Sequence, residues 1–346
     1  MNKGEINILM TGAGAPGAAG IIKCLSKEPC FNIIAADADA GATGRYLVDD
    51  FVVIPRGNDP AFVTSILDLC RKKNIHVVLP LVTRELFPLA SHRDEFDLAG
   101  AKVLVSPSES IEIANDKSRL YQFLEWRGIP VPEFRIVENP EQLNTACAEL
   151  GYPQKTLTIK PSVSNGSRGF RIISEQVDRL DLLLNHKPGH SYTTLPELIA
   201  IMGVNKIPEM LVSEYLPGDE YSVDCLCKEG HATLVVPRRR VAMVNGISVK
   251  GEFVRHQEII KYCTDIVREL RLHGNVGVQV KASATGAFRI LEINPRVQGT
   301  ISAALGAGIN LPVLAIKSEL GLPINEDERQ VKWGTRFGRF WEEVYY

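Results

Sequence analysis

Three oxygen-bearing side chains, Gln279, Glu292 and Asn294, are spaced to share one face of a β-hairpin. The stretches 275–281 and 289–294 each alternate with a period of two, the signature of half-buried strands. Val276, Val278 and Val280 fall on one face, and Gly277, Gln279 and Lys281 on the other. Thr285-Gly286 supplies a two-residue turn that pairs Ala284 with Ala287 and sets Gln279 opposite Glu292. Opposed β-carbons lie about 5 Å apart. A one-residue slip would spoil both apolar faces, which supports this register. Oxygen ligands of this kind suit Mg²⁺, which keeps several waters and is shared with nucleotide phosphates. An amphipathic surface hairpin with its polar face in water has the same pattern, so the rest of the chain must decide.

Lys160 ends the strand 156–160, and a loop rich in serine and glycine follows through Phe170. Such a loop turns backbone N–H groups onto phosphate oxygens, as a nest does. It lacks the Gly-Lys-Ser/Thr ending of a Walker loop, and a plain hairpin loop has the same composition. Residues 114–128 read as an amphipathic helix capped by Asn115 or Asp116 and stopped by Gly128. Lys117 then sits in the first turn, against the helix dipole. Between Met210 and Cys227 a strand, a Pro-Gly bend and a second strand place Glu214 and Glu220 on either side of a hinge. Of the arginines 238–240, Arg238 and Arg240 share a strand face, where an anion is one use for them and a solvated patch another.

The elements that carry these groups follow an α/β pattern. Residues 6–11 form a buried strand that enters Gly12-Ala-Gly-Ala-Pro-Gly17, followed by a helix, a strand and Asp37. That series is a dinucleotide fingerprint, and it is equally a βαβ unit needing small residues at a tight turn. Strands at 50–54, 77–79 and 103–105 alternate with helices, implying a parallel, doubly wound sheet. Thr83-Arg84-Glu85 follows a strand's carboxyl end, where such sheets place ligands. The tail 335–346 reads as an amphipathic strand. A formal charge of -2 gives no footing for nucleic acid or an anionic membrane. No apolar run reaches membrane-spanning length, and seven cysteines do not make a disulfide scaffold, so a reducing cytoplasm is expected.

Asp116-Lys117, Ile159-Lys160-Pro161-Ser162 with its loop, Glu214-Tyr-Leu-Pro-Gly and Glu292-Ile-Asn-Pro-Arg296 occur in one order. Together they resemble the ATP-grasp superfamily, in particular stand-alone proteins similar to one synthetase unit of the carbamoyl-phosphate synthase large subunit. The resemblance implies an ATP-grasp fold: a Rossmann-like parallel-sheet domain (1–110), a linker helix and small lid domain (111–212), and a C-terminal α+β domain with an antiparallel sheet (213–346). It also implies ATP and Mg²⁺, with Mn²⁺ as the substitute. Lys117 and Lys160 would hold phosphates under a mobile loop of Ser164, Asn165, Gly166, Ser167 and Gly169. Glu214 and the Leu216 backbone would meet adenine, and Glu220 the ribose. Gln279, Glu292 and Asn294 would hold the metal, and Arg296 would stabilise the transferring phosphoryl group. A Gln at the first metal position, where many relatives carry an acid, is itself reminiscent of carbamoyl-phosphate synthase.

The activity so implied is activation of a small carboxylate, or bicarbonate, as an acyl phosphate that an amine or ammonia attacks. One unit alone favours a small carboxylate over the complete carbamoyl-phosphate reaction. Arg238, Arg240 and Lys250 are the candidates for holding it. Partners are then small molecules, neither nucleic acid nor membrane, with a homodimer left open. Two rivals stand beside this reading: an NAD(P)-dependent oxidoreductase built on Gly12 to Gly17, and a non-catalytic ATP-binding module.

Overall fold

The computed structural model describes residues 5–164, 166, 168–185, 191–203, 206–244 and 246–346. Short, largely apolar runs make the first sheet: β1 (Ile6–Thr11), β2 (Phe31–Asp37), β3 (Asp50–Val53), β4 (Val77–Pro80) and β5 (Lys102–Val103). All are parallel, in the order β3-β2-β1-β4-β5. Such strands are buried on both faces, so they are continuously apolar; Ile8, Leu9 and Met10 are wholly enclosed. The doubly wound expectation holds.

The second sheet contains β6 (Phe134–Val137), β7 (Leu157–Pro161), β8 (Arg171–Ile173), β9 (Tyr192–Thr193) and β10 (Met210–Glu214), ordered β6-β10-β7-β8-β9. Its apolar face packs on the helices Pro140–Glu149 and Leu195–Met202. The third contains β11 (Glu220–Lys228), β12 (His231–Val244), β13 (Ile247–Phe253), β14 (Gly274–Ala282), β15 (Phe288–Asn294) and β16 (Arg336–Gly338), ordered β15-β14-β11-β12-β13-β16.

Two compact units result. One holds residues 1–114, 220–280 and 292–346; the other holds 115–219 and 281–291. Within the first unit, strands from the parallel sheet and from the third sheet share one hydrophobic core, running from Ile8 and Leu79 to Leu226, Phe253 and Ile316.

Two local expectations change, and one holds. The helix expected over 114–128 runs over Lys117–Trp126 with Asp116 as its cap, and a separate helix, Ser108–Asn115, precedes it. The Asp116 carboxylate accepts from Ser118 N and Arg119 N at 3.0 and 3.1 Å. The turn between β14 and β15 is one residue longer than expected: Ser283 N donates to Ala287 O and Gly286 N to Ser283 O, with Gly286 at φ +85°. The tail is a strand only over Arg336–Gly338, and Trp341 beyond it is 89% exposed.

Candidate functional site

In the first unit the side chains form two short relays. Arg240 Nη1 donates to Glu220 Oε1 at 2.5 Å and to Gln279 Oε1 at 3.2 Å. Asn294 Nδ2 donates to Glu292 Oε1 at 3.4 Å, and Arg296 Nη2 to Asn294 Oδ1 at 3.5 Å. The spacing explains both. Glu292, Asn294 and Arg296 recur every second residue, so they follow one another along one side of the chain leaving β15. Arg296 is anchored at its other nitrogens, with Nε on Thr83 Oγ1 at 3.1 Å and Nη1 on the Val297 carbonyl at 3.0 Å. Burial lowers its pKa, with the Glu292 charge working against that shift.

The metal donors can be tested by their chemistry. Among the described residues no three His, Cys, Asp or Glu side chains gather as a metal cluster, so a metal at this place would take amide oxygens as well. Gln279, Glu292 and Asn294 are hard oxygen donors that suit Mg²⁺. Their hydrogen bonds just described, at 3.2 to 3.5 Å, are long. A cation displaces such contacts at little cost. Two carboxylates, Glu220 and Glu292, stand beside two guanidinium groups, Arg240 and Arg296, and leave no excess of negative charge, so the set fits a metal that arrives with phosphates better than a bare ion.

The second unit collects the lysines. Lys117, 6% exposed in the first helical turn, donates from Nζ to the Ser164 carbonyl at 2.9 Å. Its own N–H donates to Ser162 O at 2.8 Å, so helix start and loop start are tied together. Lys160 Nζ lies 2.9 Å from the Leu291 carbonyl and 3.2 Å from the Tyr121 hydroxyl, over whose ring it also sits. That hydroxyl donates to Ile290 O at 2.9 Å. Tyr121 and Thr83 therefore hold Lys160 and Arg296; Thr83 was marked in the sequence only by its place after a strand's carboxyl end, and Tyr121 went unrecognised. Tyr121 reads there as one more apolar-face residue, and no short-range pattern links residues so far apart in the chain.

Ser164, Gly166 and Gly169 shape the loop after β7. Gly166 and Gly169 have φ of +64° and +76°, and a Cβ on Gly169 would lie 2.6 Å from Pro161. Asn165 and Ser167 lie outside the described residues. Glu214 accepts from Glu133 N at 3.1 Å, and the Leu216 side chain is buried.

Arg238 corrects an expectation. It is 1% exposed and its Nε is paired with the equally buried Asp224 at 2.7 Å, so it does not face a cleft. An ion pair sealed on both sides holds strands β11 and β12 together. Lys250 is exposed on β13, opposite Gly338 of β16. Of the three candidates only Arg240 joins the Gln279 patch.

The glycine turn after β1 is also explained. Gly14 N donates to Asp37 Oδ2 at 2.7 Å, and Asp39 N to Oδ1 at 2.9 Å, so the acid is spent on the loop itself. A Cβ on Gly17 would stand 2.3 Å from Gly299 Cα, and one on Gly20 would stand 2.4 Å from Ser302 Oγ. Gly17 admits a backbone and Gly20 a serine side chain, and the oxidoreductase reading is not favoured.

Comparison with known proteins follows the same lines. A family described as "ATP-grasp in the biosynthetic pathway with Ter operon" matches residues 206–339, and the PylC-like N-terminal domain matches residues 8–104. The arginine-specific carbamoyl phosphate synthase large chain of Geobacillus stearothermophilus is 27% identical over 286 residues, covering 79% of this chain and 25% of that one. The carbamoyl phosphate synthase large chain of Mesorhizobium japonicum is 28% identical over 230 residues, covering 60% and 19%. The chain thus spans about a fifth to a quarter of the length of these curated relatives. In three dimensions it is similar to the ADP complex of purK, an N5-carboxyaminoimidazole ribonucleotide synthetase. That match has a TM-score of 0.70 at 18% identity and covers 97% of this chain and 81% of that one. It is also similar to the biotin carboxylase domain of Hydrogenobacter thermophilus 2-oxoglutarate carboxylase, solved with MgADP and bicarbonate. There the TM-score is 0.66 at 16% identity, covering 97% and 74%. Both likenesses place the fold. Among the described residues no helix is long and apolar enough to cross a membrane.

Proposed function

The chain carries an ATP-grasp domain behind a PylC-like N-terminal domain, and from that premise we propose that it is an ATP- and Mg²⁺-dependent carbon–nitrogen ligase. A small carboxylate, or bicarbonate, would be phosphorylated by ATP, and an amine or ammonia would displace the phosphate. A carboxylate resists amines because its leaving group would be oxide; an acyl phosphate does not. The protein's share of the first step is positioning and charge neutralisation.

The observation that carries the reading is the Glu292–Asn294–Arg296 relay, which sets metal-type oxygens next to a fixed guanidinium. Gln279, Glu292 and Asn294 would hold Mg²⁺, which when bound supplies charge neutralisation at the phosphates. Arg296 would meet the transferring phosphoryl group and Arg240 the substrate carboxylate. In the second unit Lys117, Lys160 and the loop Ser164 to Gly169 would serve phosphate, and Glu214 and Leu216 adenine; Glu220, in the first unit, would serve the ribose. The functional division that goes with this is a Rossmann-like segment to residue 110, a lid segment over 111–212 and a metal-bearing segment from 213.

The test is ATP-dependent phosphate release across a panel of carboxylates and amines, with mass spectrometry of the product. A carboxylate–amine pair that yields one ADP per amide formed is the expected result. ATP binding without turnover on any pair would leave a binding module and refute the ligase.

A further inference from the structure

Arg240, which would meet the substrate carboxylate, and Glu220, which would meet the ribose, hold each other. β11 and β12 pair antiparallel with Tyr221 opposite Arg239, so the next rung sets Glu220 against Arg240. β14 lies on the other side of β11 and brings Gln279. Arg240 Nη1 donates to Glu220 Oε1 at 2.5 Å and to Gln279 Oε1 at 3.2 Å, and Nη2 donates to the Gly246 carbonyl. All four residues belong to the first unit. The Arg240 side chain is 4% exposed and that of Glu220 16%. β12 bulges just past Arg240, with register shifts between Arg240 and Ala242 and between Ala242 and Met243. Bulges re-aim side chains beside functional sites. One Arg240 donor, the buried Nε, finds no acceptor among the described residues.

The pair cannot serve either ligand while it stays closed. A ribose presents a vicinal diol, which takes both oxygens of a carboxylate, and Glu220 Oε1 is spent on Arg240. A carboxylate grips a guanidinium through two parallel N–H bonds, and both Nη groups are committed. Each ligand must therefore open the same ion pair. Opening a buried pair is costly because it strands a charge. A diol on Glu220 strands the charge of Arg240, which a substrate carboxylate then neutralises while also meeting the unspent Nε–H. Whichever ligand binds first bears the cost of opening, and the second does not. Resting on the ligase reading above, we propose that the Glu220–Arg240 pair is a shared latch through which nucleotide and carboxylate tighten each other's binding. By linkage the factor is the same in both directions. The carboxylate is thus held most firmly when the nucleotide that phosphorylates it is in place.

The test is calorimetry on the full chain, with a chelator present so that no metal competes at Gln279. ADP is titrated with and without acetate as the carboxylate probe, and chloride holds the ionic strength constant. We expect acetate to tighten ADP binding roughly 5- to 150-fold, the range of a coupling between two sites. The 2′,3′-dideoxy form of ADP lacks the diol, so acetate should leave its affinity within about twofold. Glu220→Gln removes the latch. Acetate should then bind the variant without nucleotide more tightly than it binds wild type, a gain that damage to the strand would not produce. No effect of acetate on ADP overturns the proposal. Equal tightening of ADP and the dideoxy nucleotide also overturns it, because the coupling would then bypass Glu220. So does unchanged or weaker acetate binding in Glu220→Gln. Should that variant fail to fold, the comparison of the two nucleotides on wild type decides alone. Uncoupled ligands would still turn over, so failure of the latch leaves ATP-dependent phosphate release intact, whereas failure of the ligase reading abolishes it.

Discussion

The chain has two glycine-rich turns, each following a buried strand, and they are built for opposite purposes. The turn after β1 is filled: Gly17 meets Gly299 backbone to backbone, Gly20 meets Ser302, and Asp37 consumes the Gly14 N–H. The turn after β7 is open at its tip, where the nearest atom to a Cβ on Gly166 would be 3.8 Å away, and Lys117 braces its base. Glycine in the first admits a neighbouring backbone; in the second, Gly166 and Gly169 take positive φ. Composition alone cannot tell these apart.

The sharpest way to break the contrast is Gly17→Val. Its β-carbon would stand 2.3 Å from Gly299 Cα, and backbone cannot swing aside as a side chain does. We expect a loss of at least about 3 kcal/mol, or failure to fold, read by urea unfolding. A stable variant would mean the turn is open after all.

Next comes Lys160→Ala. On the proposed role of Lys160 at the phosphates, its removal should lower ATP turnover roughly 100- to 1000-fold, measured as ADP release at saturating carboxylate. The melting temperature should change much less than in Gly17→Val. Unchanged turnover would remove the second turn's claim to phosphate.

The region of the first turn also makes a prediction about pH. The Glu85 carboxyl, buried against Thr11 and raised from 4.5 to about 7 in the fold, favours the protonated form. The stability it contributes is complete below its unfolded pKa and is lost as pH rises through about 7. Relative to Glu85→Gln, wild type should therefore lose on the order of 3 kcal/mol between acid and mildly alkaline pH. Parallel denaturation curves of the two proteins check this, and a constant gap across the range would show that Glu85 titrates normally. The smallest effect is expected at the open turn. Gly166→Ala meets no closer atom than one at 3.8 Å and bears only the cost of φ +64°, about 1 kcal/mol, seen as a small shift in melting temperature.

Much of the architecture was legible because it rests on local rules. The alternation of Val276, Val278 and Val280 marks β14, all three being buried, and Asp116 announces a helix start that the structure confirms by two N–H bonds. The turn at Gly286 was misjudged by one residue, since a three-residue loop with a left-handed glycine has nearly the same composition as a two-residue one. Alternation also placed Arg238 on a usable face, although it has no means of reporting that Asp224 seals it there. The expected three-way division and the two compact units differ because β14 and β15 pass from one unit to the other within single strands.

Residue types and their spacing by themselves determined the strands, the caps and the inventory of oxygen and nitrogen groups that can serve a metal–nucleotide complex. Those follow from periodicities of two and of 3.6 and from the chemistry of each side chain. Only the tertiary structure decided that Gly17 is filled by Gly299, that Tyr121 holds Lys160, that Thr83 holds Arg296 and that Glu85 is buried against Thr11. Each depends on close approach of residues distant in the chain. Such approaches arise from the packing of whole elements, and no local pattern encodes them.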